Sequence, residues 1–125
     1  MRGFTLDTGA LIALERRDPS VDALIERAGA IPGAVIHIPA GVLAQSFRDP
    51  RQVRLTRLLK QAQTRVVALD AQTAFVTGLL LGRRGGSDAI DASVVVCARQ
   101  YGQPAITSDP EDLRRLDPEL PLEVV

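Results

Sequence analysis

Residues 4–15 read FTLDTGALIALE. A short apolar run ends on Asp7, and two small residues later an apolar helical pattern begins. A carboxylate at the end of a buried strand is costly to desolvate unless something pairs with it. The same arrangement recurs at VVALD, ending on Asp70, and at AITSD, ending on Asp109. Each is a β-rich run, then an aspartate, then a helical pattern, which is the grammar of a βα unit.

Working outward from these units, strands are expected at 3–6 (GFTL), 34–38 (AVIHI), 65–69 (RVVAL), 104–107 (PAIT) and 122–125 (LEVV). Helices are expected at 10–17, 19–30, 40–48, 51–62, 71–84, 87–101 and 110–116. Pro19 marks a helix start, the pair Gly85–Gly86 a helix end, and Ser87 the cap of the next helix. Strands that are apolar throughout and alternate with helices predict an α/β domain. Its central parallel sheet of about five strands is flanked by helices on both faces. No linker or repeat divides residues 1–125, so one domain is expected, and 46% hydrophobic residues suffice for a core.

Composition excludes several classes. Fifteen basic and fifteen acidic residues cancel, so no global field steers the chain to nucleic acid or membrane. One cysteine, Cys97, rules out a disulfide framework and fits a reducing compartment. The N-terminus has no basic segment followed by a long apolar one, and no apolar run could cross a bilayer. A cytoplasmic protein without membrane contact is the expectation.

In parallel sheets, ligands bind beyond the carboxyl ends of the strands, where the strand order reverses. Aspartates there are also favoured helix caps. Asp70 is read as a cap, because no other acid gathers near it. Asp7 and Asp109 stand beside hydroxyls, so Thr8 or Ser108 is free to cap in their place. Asp88 and Asp91 lie three apart on one helical face, and the apolar crowd after Asp91 suggests a largely buried carboxylate. If these acids converge they cannot all stay ionised without a cation. A hard ion such as Mg²⁺, with Mn²⁺ as substitute, would settle them and activate water against a phosphodiester.

Four stretches, LDTGALIAL, PAGVLAQSFR, DASVVVCARQYGQPAITSD and TSDPEDLRRL, together resemble the PIN-domain nucleases, most closely the VapC toxins of toxin–antitoxin pairs. The resemblance implies a Mg²⁺-dependent endoribonuclease, an RNA substrate, a cognate antitoxin and a homodimer. It implies Asp7 as the first acid, Asp91 as the third and Asp109 as the fourth. Asp88 would be an accessory acid, and Thr107 a hydroxyl orienting the carboxylates. Where the family usually has a second acid, Glu, this chain has Gln45. Such an amide still offers an oxygen but no charge. The competing reading is therefore a degenerate PIN module that binds antitoxin or RNA without cutting.

Other classes fit poorly. A phosphoacceptor receiver wants a lysine at the end of a late strand, and the sole lysine, Lys60, is mid-chain. An aspartyl phosphatase wants a second acid two positions after the first, where Gly9 stands. Arg48, Arg51, Arg54 and Arg57 form the densest basic stretch, and Arg83 and Arg84 precede Asp88. Of these, Arg48, Arg51, Arg83 and Arg84 are candidates for RNA phosphates. His37 and Cys97 read as packed core residues.

Overall fold

The computed structural model describes residues 3–125; the first two residues of the expected domain lie outside the described residues. Five strands form one sheet: β1 (Gly3–Leu6), β2 (Val35–Pro39), β3 (Thr64–Val67), β4 (Ala105–Thr107) and β5 (Leu122–Val124). Their order is β3-β2-β1-β4-β5 and every pairing is parallel. The chain runs outward from β1 through β2 to β3, then returns to the other side of β1. The strand order therefore reverses between β1 and β4.

Seven helices cover the sheet: α1 (Thr8–Glu15), α2 (Pro19–Gly29), α3 (Ala40–Ser46), α4 (Val53–Leu59), α5 (Ala71–Arg84), α6 (Ala89–Tyr101) and α7 (Pro110–Leu116). Right-handed crossovers in opposite directions place α1–α4 on one face and α5–α7 on the other. The helices pack mainly within each set, and α3 also meets α6. The core joins Phe4, Leu6, Ile36, Ile38 and Ile106 of the sheet to Leu11, Val42, Leu55, Val94 and Leu113 of the helices. Helix α6 is buried continuously from Ala92 to Ala98, which explains its run of small and β-branched residues.

Several local expectations are corrected. The helix expected over 40–48 stops at Ser46, because Phe47 is already extended. The helix expected over 51–62 covers only Val53–Leu59, and the strand expected over 65–69 lies at 64–67. Helix α6 is capped by Asp88 rather than Ser87: the Asp88 carboxylate accepts from the N–H groups of Ile90 (3.0 Å) and Asp91 (2.9 Å). Asp offers the charged acceptor that best matches exposed N–H groups at a helix start. Asp70 caps α5 as expected, accepting from Thr73 N at 2.8 Å.

The strands are not apolar throughout, because the sheet buries one polar cluster. Thr5 and His37 are ladder partners on β1 and β2, and Gln103 follows α6 beneath them. Gln103 Nε2 donates to Val35 O (2.9 Å), which turns its Oε1 to accept from Thr5 (3.1 Å) and from His37 Nδ1 (2.9 Å). That geometry assigns the proton of neutral His37 to Nδ1. The His37 ring stacks on Tyr101 at 3.7 Å, and burial pushes its pKa down. His37 is a satisfied core histidine, and Cys97, its thiol pushed up to about 11 by burial, is an inert core residue.

Candidate active site

Asp7 is the residue after β1 and Asp109 the second residue after β4. The two strands are neighbours, tied by the Leu6↔Ile106 register and the bond from Asp7 N to Ile106 O (3.1 Å). Gly9 brings the two loops together more closely than any other residue would. A Cβ there would stand 2.0 Å from Ser108 Oγ and 3.5 Å from Asp7 Oδ1.

The capping expectation for this loop is overturned. Asp7 itself caps α1, its Oδ1 accepting from Ala10 N at 2.8 Å, while Thr8 donates to Gln45 Oε1 at 2.5 Å. Asp7 can cap and still face the site, because a carboxylate has two oxygens and the cap uses one. Thr8 in turn links the first βα loop to α3 and so brings Gln45, exposed on α3, beside Asp7's helix. Neither Ser108 nor Asp109 caps α7 with its side chain. Instead Asp109 N donates to Thr107 Oγ1 at 2.9 Å, while the Thr107 hydroxyl also lies against Asp7. Thr107 therefore bridges the two acids.

Electrostatics carry the case that the acids form one cluster. Burial raises the Asp7 carboxyl; the Thr107 and Ala10 bonds oppose this, and Asp109 adds to it. Asp91 is pushed up to about 6, first by burial, then by the charges of Asp88, Asp112, Asp7 and Asp109. Asp109, though exposed, is raised by its contact with Asp112. The Asp91 expectation is thus adjusted: it is half-buried, at the mouth of the buried α6. Asp88 is exposed, with one oxygen committed to the α6 cap.

Asp112 is the acid that sequence reasoning missed. It sits in the first turn of α7, three residues after Asp109, and its ion pair with Arg115 is loose at 3.9 Å. The i, i+3 spacing in DPED was the available signal. Among the described residues no three His, Cys, Asp or Glu side chains stand close enough together, as they are placed, to hold a metal ion. The donor set nonetheless suits a hard cation: oxygen ligands only, an excess of negative charge, and carboxyls held above their ordinary range.

The arginines fall elsewhere. Arg48 donates to Ala44 O (2.7 Å) and Phe47 O (2.9 Å), closing the end of α3. Arg51 pairs with Asp49 at 2.7 Å, and Arg54 with Asp22 and Leu14 O. Arg83 and Arg84 end α5. At Asp117, burial is outweighed by the Arg99 bond, Glu119 N and the charges of Arg99 and Arg84, so the carboxyl is held low. The charge of Arg84 thus acts on Asp117.

The site is thus a set of acids beyond the carboxyl ends of a parallel sheet, at its switch point, and the family follows from the sequence match. The chain belongs to the PIN domain family, whose model matches residues 4–118. Its fold is that of VapBC2 from Rickettsia felis, solved with a promoter DNA fragment (TM-score 0.73, 20% identity, 98% of each chain covered). It is equally that of DNA-bound VapBC from Salmonella typhimurium (TM-score 0.71, 18% identity, 99% of this chain and 98% of that one). FitAcB from Neisseria gonorrhoeae has the same fold (TM-score 0.63, 17% identity, 95% of each chain). No curated protein sequence matches the chain.

Proposed function

We propose that this chain is a metal-dependent endoribonuclease, the toxin of a toxin–antitoxin pair, acting on RNA phosphodiesters. The observation that carries the reading is the convergence of charge on Asp91, whose carboxyl is raised by Asp88, Asp112, Asp7 and Asp109 as well as by burial, beside the β1–β4 switch point. Asp7, Asp91 and Asp109 would hold Mg²⁺ or Mn²⁺, with Asp88 and Asp112 adding charge. When bound, such an ion activates water and neutralises phosphate charge. The chain's own contribution is placement. Ala10 N and the Thr107 hydroxyl orient Asp7, and burial among other carboxylates makes Asp91 the acid that gains most from a cation's charge. Gln45, held by Thr8, offers a neutral oxygen where a charge would bind harder.

The solved VapBC and FitAB assemblies support an antitoxin partner for this chain too. A homodimer is supported by the exposed apolar face of α5, where Phe75 is 70% exposed beside Val76 and Leu79. No described helix is long and apolar enough to cross a membrane, and we place the protein in the cytoplasm.

The purified chain, given structured RNAs with Mg²⁺ or Mn²⁺, is expected to cleave them, and EDTA or Asp91→Asn to abolish cleavage. Wild-type cleavage no faster than that variant under either metal sinks the catalytic reading. RNA binding without cleavage would establish the second reading, which Gln45 favours: a PIN module that binds but does not cut.

A further inference from the structure

Helix α1 ends in a Schellman motif: Arg17 N bonds to Leu14 O and Asp18 N to Ala13 O, both at 3.0 Å. The residue that turns left-handed in this motif is ordinarily glycine. Here it is Arg17, with φ 63°, the only left-handed residue other than glycine among those described. A side chain there costs about 1 kcal/mol that glycine would not. Arg17 and its neighbour Arg16 border an open groove of about 610 Å³ whose other walls include Gly9, Ile12, Asp18 and Ser108. Gly9 stands two residues after Asp7 and Ser108 immediately before Asp109, so one wall of the groove is built from the loops that carry these acids. Both arginines are exposed, and among the described residues neither forms an ion pair. The carboxylate lining the groove, Asp18, is turned away to cap α2, accepting from Ser20 N (2.8 Å) and Oγ (2.6 Å).

We propose that this groove is the track for the RNA backbone on one side of the scissile bond, with Arg16 and Arg17 binding its phosphates. The proposal rests on the ribonuclease reading above. Its chemistry follows from the groove. Guanidinium groups match phosphate oxygens bidentately, and the volume accommodates a nucleotide. Phosphates held there would also be drawn past the acids that otherwise repel them. The unusual choice of arginine at a glycine position is explained if the side chain is what is needed.

The test measures binding of a short, labelled single-stranded RNA of mixed sequence to the full chain in EDTA, across a salt series. Arg17→Gly keeps the left-handed turn and therefore the fold; Arg16→Gln is an exposed change. Together they are expected to weaken binding about tenfold and lower the salt slope by about two. Arg16→Lys should retain the slope, and Arg27→Gln, beside Gly3 at the opposite end of β1 and paired with Glu123, should change neither quantity much. Unchanged affinity and slope in the double variant overturn the proposal and leave the arginines to a protein partner. A wild type that binds no RNA overturns it as well. Metal-dependent cleavage with an unchanged KM in the double variant overturns this proposal while sparing the ribonuclease reading.

Discussion

At the scale of single residues, Gln45 is the position that tests the proposed cation site. It lies on the exposed side of α3 and accepts from Thr8, next to the carboxylate that ends β1. Gln45→Glu keeps that acceptor and adds a negative charge. Ligand charge count sets the affinity of oxygen sites for hard cations. The substitution is expected to tighten Mg²⁺ binding about tenfold, equivalent to about 1.4 kcal/mol, read by calorimetric titration. Without the ion it should lower Tm slightly by like-charge repulsion. An unchanged Mg²⁺ affinity would mean that position 45 lies outside the coordination sphere. The residue type at 45 was legible in the sequence, but the Thr8 bond that aims it was not. A bond spanning 37 positions depends on where α3 lands.

At the scale of elements, β1 shows how closely the strands are seated. Gly3 pairs with Val35 on β2, and a Cβ at Gly3 would stand 2.0 Å from the Val35 carbonyl oxygen and 2.8 Å from its N. Those atoms are backbone and cannot rotate away. Gly3→Ala is expected to cost about 3 kcal/mol, seen as a lower urea midpoint, because the strand must shift or lose a ladder bond. Gly9→Ala meets Ser108 Oγ, which can rotate, so its cost should be well below that. Element types were readable from period and punctuation, and all twelve were anticipated. Boundaries were not, because caps are chosen by local competition. Asp88 won over Ser87, and Asp7 over Thr8, each carboxylate reaching the N–H groups of the first turn.

At the scale of the molecule, the acids meet because the strand order reverses between β1 and β4, and this leaves a signature in stability. Burial and four carboxylates hold Asp91 at about 6 in the folded chain, above its ordinary value near 3.8. The folded state therefore binds this proton more readily than the unfolded one, and stability from this group grows as pH falls from about 6 toward 4. Asp91→Asn removes the penalty at neutral pH. Its Tm is expected to exceed wild type by about 3–6 °C at pH 7, what roughly 1 kcal/mol is worth in a domain of this size. The gap should close near pH 4, and saturating Mg²⁺ should narrow it by stabilising only the wild type. A gap independent of pH would show that Asp91 does not feel the other acids. By itself the sequence determined the element types, the α/β class, the acids at the strand ends and the core roles of His37 and Cys97. Each follows from local pattern and residue chemistry. Only the tertiary structure decided that β1 and β4 are neighbours, that Asp112 joins the cluster and that Arg16 and Arg17 border the site while Arg48 and Arg51 are spent locally. Those facts depend on which distant segments the sheet order brings together, and no local pattern encodes that distance.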